Sequence, residues 1–264
     1  MLGDCYFLAV LSSLAEFPER ILALIETTKV NPNGRYELNF FVNGLLTSVE
    51  VDDYFPVKKG TKELAFAHSE LPDMWVPLLE KGWAKLHGSY FATEGGIPSF
   101  AATHLTGVPT ITWRHEEYPD HDDLWEMLKE VNRRNFTIMA SSLGSGEVVK
   151  EGGVVQGHTY SIVSIYEFRH KGTYERLLKL RNPWGYTVWK GDWSDASEKW
   201  TPSLRESLGH NPGNNGVFFM NLEDYYRHFA LTCVAAEQDD LKYHHSLIEH
   251  DFNQHPPLQS QAFF

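Results

Sequence analysis

The pattern of apolar residues predicts an α+β chain, mainly helical in its first two-fifths and rich in strands thereafter. Two long helix-period runs, residues 4–15 and 71–86, dominate the first part. Five short apolar runs, separated by loops rich in Gly, Asn and Asp, dominate the second. The character changes after Gly107. The expected division is therefore a helical subdomain over residues 1–107, a β-rich subdomain over 108–236, and a linker or disordered tail over 237–264.

Taken in order, residues 4–15 place Phe7, Leu8, Leu11 and Leu14 at helical spacing, with Asp4 as the N-cap. Pro18 and the apolar stretch 21–25 predict a second, short helix. The runs 36–42 and 46–51 flank Asn43-Gly44, a strong two-residue hairpin signal. Trp75, Leu78, Leu79 and Trp83 form one face of the 71–86 helix, with Pro72 in its first turn. Gly95-Gly96 and Pro98 read as a loop. Leu124, Trp125, Leu128 and Val131 predict a helix over 122–134. Strands follow over 136–140, 158–166, 177–181, 216–221 and 229–235. The tail carries His244, His245, His250 and His255 with two adjacent prolines and no period.

The net charge of −12 argues against nonspecific nucleic-acid binding, which needs a basic surface, and gives no reason for docking on an anionic membrane. No apolar run approaches the roughly 18–20 residues that span a bilayer. The apolar stretch 8–14 is preceded by Asp4 rather than by a basic residue, unlike a signal peptide. Only two cysteines are present, too few for a disulfide-stapled secreted domain. A cytoplasmic setting is expected. Cys233, inside an apolar strand, reads as a buried small hydrophobe.

Cys5 reads differently. A thiol attacks a carbonyl only as thiolate, and a helix N-terminus or a neighbouring imidazolium lowers its pKa. Cys5 opens the first helix, so the first device is expected there. Gly3 leaves the backbone open to a substrate, and the Cys5 N–H is placed to help bind an oxyanion. The competing reading is a helix-start cysteine that only packs. A base must come from elsewhere. His158 opens a strand directly after Gly157, a rigid and accessible position. With 13 histidines in the chain, His68, His104, His170 and His228 read as surface or satisfied core groups. Asn182 ends a strand where Pro183 forces a turn, so its amide oxygen is placed to accept from the far nitrogen of His158 and fix its tautomer. Trp184 is placed to cover that contact or simply to pack.

Together these segments resemble the calpain family of cysteine proteases, within the papain-like superfamily. Gly3-Asp4-Cys5-Tyr6 is similar to the family's nucleophile motif, with Tyr6 where calpains usually carry Trp. His158 lies 153 residues further on, close to the ~130–150 of papain-type enzymes. Gly157-His158-Thr159-Tyr160-Ser161 resembles the histidine motif. Arg181-Asn182-Pro183-Trp184-Gly185 and Trp189-Lys190-Gly191-Asp192-Trp193-Ser194-Asp195 resemble the asparagine segment. Leu78-Leu79-Glu80-Lys81, Gly88-Ser89-Tyr90, Val51-Asp52-Asp53 and His68-Ser69 are similar as well, so the likeness runs from residue 2 to about 236. The resemblance implies a papain-like fold with the active site in the cleft between two subdomains. It implies limited proteolysis of protein substrates inside cells through Cys5, His158 and Asn182, with activation by calcium.

The family also carries a glutamine upstream of the cysteine that completes the oxyanion hole. Residue numbering starts at Met1, too late to include it, as expected of a fragment or of an enzyme with a weakened or substituted hole. The family's downstream domains, and further N-terminal ones, are likewise outside this sequence. At the positions of its second calcium site stand Val188, Asn215 and Val217, leaving Asp195 as the one carboxylate. A hard cation wants several oxygen ligands, so weak or absent calcium binding is expected there, with no cofactor needed for the chemistry. Three further readings stand beside the protease: an inactive homologue acting as a regulatory or binding module, a transglutaminase-like acyl transferase, and a metal hydrolase built on His115, Glu116, Asp120 and His121. The last cluster reads as a solvated loop.

Overall fold

The computed structural model describes residues 2–69, 73–149, 152–186, 189–213 and 215–237. The helix α1 (Cys5–Leu14) opens the fold, followed by α2 (Pro18–Leu22). Strands β1 (Arg35–Val42) and β2 (Leu45–Asp52) pair antiparallel with Val42 opposite Leu45. Asn43 and Gly44 turn the chain between them, both in the left-handed region, as a two-residue turn of the primed type requires.

Helix α3 spans Trp75–His87 and ends on Gly88 at φ +98. It starts at Trp75, later than the sequence implies, and Pro72, expected in its first turn, falls outside the described residues. The expected loop around Pro98 is instead α4 (Pro98–Thr106), with Pro98 at the first helical position and Gly107 as a left-handed cap. Pro is at home at a helix start, where its missing N–H has no partner to lose.

The second part is one antiparallel sheet in the order β3-β8-β4-β5-β6-β7. Its strands are β3 (Thr110–Arg114), β4 (Thr137–Ser142), β5 (Thr159–His170), β6 (Thr173–Arg181), β7 (Val217–Asn221) and β8 (Phe229–Ala235). Helices α5 (His121–Arg133), α6 (Pro202–Ser207) and α7 (Leu222–His228) connect them. Asp120 caps α5 by accepting from the Asp122 N–H. Strands β5 and β6 run longer than their apolar stretches because they form a hairpin about Lys171-Gly172, another left-handed pair.

Trp83, Phe7, Phe40, Leu38 and Leu79 fill a core among α1, α3, α4 and the β1–β2 hairpin. That core also takes Met139 from β4 and Cys233 from β8, so the larger sheet presses one face on the helices. Cys233 is buried and unpaired, as its strand setting predicts. A second core lies around Trp125, Leu128, Tyr160, Leu180 and Tyr225. Glu237 pairs with Arg20; the rest of the expected tail, 238–264, lies outside the described residues.

Candidate active site

Cys5 is the first residue of α1. Polar ties hold this helix against the large sheet. Ser161 Oγ donates to Ala9 O at 2.9 Å, Ser13 Oγ accepts from the Ile138 N–H at 3.3 Å, and Arg181 reaches Ser12 O at 3.3 Å. These bonds come from β4, β5 and β6, the strands that carry or adjoin the other site residues. The thiol therefore sits in a rigid relation to the sheet.

His158 immediately precedes β5, and Asn182 immediately follows β6. The two strands are paired, with Ser161 opposite Arg181, which puts both residues at the same end of the hairpin. Ser142 locks the histidine backbone: its Oγ accepts from the His158 N–H at 3.0 Å, and its own N–H donates to His158 O at 2.9 Å. Gly157 is in the left-handed region at φ +59, and a Cβ there would stand 2.6 Å from Ser145 Cα. The turn into His158 therefore requires glycine. At Gly3 a Cβ would meet only the Gly95 nitrogen, at 4.0 Å, so the fold leaves that side open.

The imidazole is fully buried. Its Nε2 lies 2.9 Å from Asn182 Oδ1. The Trp184 N–H donates to the same Asn182 atom at 3.0 Å, which identifies that atom as the amide oxygen. Nε2 therefore carries the proton and donates it. Nδ1 is left as the lone-pair side, facing Glu147 Oε1 at 3.4 Å. Ligand atoms of Cys5, Glu147 and His158 all lie within 4.8 Å of one another. The Trp184 ring stands 4.4 Å from the His158 ring, centroid to centroid. Gly3, Cys5, Gly157, His158, Asn182 and Trp184 are thus gathered at one place.

The electrostatics differ from the sequence expectation. A helix start was expected to lower the thiol pKa; instead burial pushes Cys5 up to about 12, with smaller upward contributions from Glu147 and Asp4. Burial lowers the pKa of His158, against the Asn182 hydrogen bond and the nearby Glu147 carboxylate, which favour the charged form. In this arrangement the thiol and the imidazole are both neutral. Asp4 occupies the N-cap position, but its side chain makes no cap hydrogen bond. Its carboxyl is buried and accepts from no donor, and burial together with the Glu80 charge raises its pKa to about 9. Asp4 therefore holds a proton at neutral pH, which it is able to offer to Glu80. Glu80, raised chiefly by burial, accepts from the Ala67 N–H at 3.1 and 3.2 Å.

Neither Glu147 nor the Asp4–Glu80 pair was read from the sequence. The available signals were the run Gly144-Ser145-Gly146-Glu147 just ahead of the histidine motif and an acid among the apolar residues of α3. His115 also differs from its reading as a solvated loop residue. It is buried, with Nδ1 on Phe229 O at 2.8 Å and Nε2 on Thr232 Oγ1 at 2.9 Å. Its neighbour Asp120 is a helix cap, so these residues do not form a metal cluster.

Asp195 is fully engaged by protein donors. Oδ1 pairs with His210 Nε2 and Oδ2 accepts from the Gly213 N–H, each at 2.9 Å. Arg205 donates to Asp195 O at 2.9 Å, placing a guanidinium beside the group. Asn215 Oδ1 accepts from the Val217 N–H, and Val217 opens β7. Val188 lies outside the described residues. A carboxylate already surrounded by N–H donors and a fixed cation does not fit a calcium ion, which needs free oxygens.

Residues 1–235 match the sequence profile of the calpain family cysteine proteases. The chain is 38 % identical over 237 residues to the calpain-type cysteine protease ADL1 of Oryza sativa subsp. japonica, covering 86 % of this chain and 11 % of that protein. It is 37 % identical over 241 residues to human calpain-14, covering 89 % of this chain and 35 % of the relative. Against the calpain-2 catalytic subunit of Bos taurus it is 31 % identical over 240 residues, covering 87 % and 34 %. The chain thus spans between about a tenth and a third of the length of these relatives. Among the described residues no helix is long and apolar enough to cross a membrane. The α+β architecture is the papain-like one of the calpain catalytic core, and the chain belongs to the calpain family of cysteine proteases.

Proposed function

We propose that this chain is the catalytic core of a thiol endopeptidase acting on protein substrates, with Cys5 as nucleophile, His158 as base and Asn182 as orienting group. The observation that carries this reading is the 2.9 Å contact from His158 Nε2 to Asn182 Oδ1, which leaves Nδ1 to face the thiol side. Cys5 transfers its proton to Nδ1, and the thiolate attacks the peptide carbonyl. The backbone N–H of Cys5, one of the first N–H groups of α1, supports the developing oxyanion. The C–N bond breaks as His158 gives the proton to the leaving amine, forming a thioester. A water then gives its proton to His158, attacks the thioester and releases the acid, and the proton returns to sulfur. Trp184 keeps other water from the His–Asn bond. The Glu147 carboxylate must leave the cleft before a substrate enters.

We place the subdomain division at residues 107 and 108, where α4 ends on its glycine cap, with the site residues on either side of it. We further propose that the Asp195 region works without calcium, its place taken by His210 and Arg205, and that the protein acts in the cytoplasm, which its unpaired cysteines support. The raised Cys5 pKa favours one rival reading, an inactive homologue that binds partners. Hydrolysis of an unstructured protein substrate separates the two. The protease reading expects cleavage that Cys5→Ala abolishes; absence of cleavage by folded protein, with and without added calcium, sinks it. The calcium claim expects Asp195→Ala to lower the melting temperature equally in calcium and in chelator; a loss seen only in calcium would contradict it.

A further inference from the structure

We propose that Cys5, Glu147 and His158 form a binding site for one zinc ion, which inhibits the enzyme reversibly from within its own cleft. Three ligand types converge from three segments: a thiol at the start of α1, an imidazole ahead of β5 and a carboxylate on the loop after β4. Their ligand atoms lie within 4.8 Å of one another. Ligands of a tetrahedral zinc, at ~2.3 Å for sulfur and about 2.0–2.2 Å for nitrogen and oxygen, stand roughly 3.5 Å apart. His158 Nδ1 and Glu147 Oε1 already stand 3.4 Å apart, so the required contraction of about 1 Å falls on the separations to the Cys5 sulfur.

The second shell is already in place. A zinc-bound imidazole usually donates its other N–H to an oxygen, which fixes the tautomer and raises basicity. Asn182 Oδ1 accepts from His158 Nε2, so the Nδ1 lone pair is the one presented to Cys5 and Glu147. The loop carrying Glu147 is tied back beside the histidine by Gln156 N–H to Val148 O at 2.9 Å and Gly157 N–H to Leu143 O at 3.2 Å. Those bonds hold the loop backbone beside the site. Sulfur and imidazole nitrogen suit zinc and repel the choice of calcium, which takes oxygens. Three protein ligands leave the fourth position to water. On binding, Cys5 releases its thiol proton to solvent and the thiolate coordinates the ion. A coordinated thiolate and a coordinated Nδ1 are the two groups proteolysis needs. Inhibition therefore rests on the proposed roles of Cys5 and His158, whereas binding of the metal does not.

The test is titration of the reduced full chain with cobalt(II) as a spectroscopic substitute, followed by zinc displacement. The expected result is one equivalent bound with a thiolate-to-cobalt charge-transfer band. Cys5→Ala abolishes the band, Glu147→Gln weakens binding by more than about 10-fold, and zinc bleaches it. Zinc also blocks peptide hydrolysis, and a chelator restores it. Metal held by the tail histidines gives no thiolate band, so it is distinguished. No charge-transfer band in the wild-type chain, or an unchanged affinity in Glu147→Gln, overturns the inference. Hydrolysis without cobalt binding removes the metal site and leaves the protease standing; cobalt binding without hydrolysis does the reverse.

Discussion

At the scale of single residues, chemistry depends on how three side chains divide one proton. Asn182 fixes Nε2 as the protonated nitrogen, and in the proposed mechanism Nδ1 takes the thiol proton. Replacing His158 removes the proposed base and is expected to lower kcat by about 10²–10⁴-fold. Asn182→Ala leaves the base but frees its ring, and is expected to lower kcat by about 10²-fold with little change in KM. Steady-state kinetics on a peptide substrate check both; an Asn182→Ala enzyme of full activity would contradict the orienting role. That Cys5, His158 and Asn182 come together was legible in the sequence because each sits in a short local motif whose glycine, strand end or proline has its own physical reason. Glu147 and the Asp4–Glu80 pair were not. Their contacts join residues 76 or more positions apart, or depend on how a glycine-rich loop turns, and no local pattern encodes that. The thiol pKa was misread for the same reason: a helix start is visible in sequence, but the burial that outweighs it is not.

At the scale of elements, position follows from hairpins and glycine turns. The β5–β6 pairing brings His158 and Asn182 together, and Gly157 sets the angle at which the histidine enters. Gly157→Ala is expected to destabilise the fold by more than about 1 kcal/mol, because a left-handed φ and a backbone clash act together, and to cut activity further than stability. Denaturant unfolding and kinetics on the same variant would show it; wild-type behaviour in both would refute it. Leu79 is fully buried on α3 against the first core. Leu79→Ala is expected to cost about 2–5 kcal/mol by urea unfolding without a change in slope. Long, strongly periodic elements such as α1, α5, β8 and the Asn43-Gly44 hairpin were readable. Some of the short ones were not. Strand β3 buries little besides Trp113, and α4, α6 and α7 carry too few turns for a clear period.

At the scale of the whole molecule, the two larger cores and a smaller one around Trp193, Trp200 and Phe219 share the large sheet, and the site lies where α1 from the first meets the strand ends of the second. His115 is bonded to Phe229 O and Thr232 Oγ1 of β8, and burial lowers its pKa to about 4. A base with a depressed folded pKa contributes stability that is present above its unfolded value and lost as pH falls through the folded one. The window is therefore pH 6.5 down to about 4, and the shift corresponds to on the order of 3 kcal/mol. Relative to His115→Gln, the wild-type protein is expected to lose melting temperature more steeply across that window; parallel curves would contradict the assignment. The most direct test of the central claim is labelling with a thiol-directed peptidyl epoxide, with and without calcium, and location of the adduct by mass spectrometry. The account predicts a single adduct on Cys5 in both conditions, lost in Cys5→Ala and strongly slowed in His158→Ala. A folded protein that takes up no label at Cys5, or takes it equally without His158, would contradict a Cys–His peptidase.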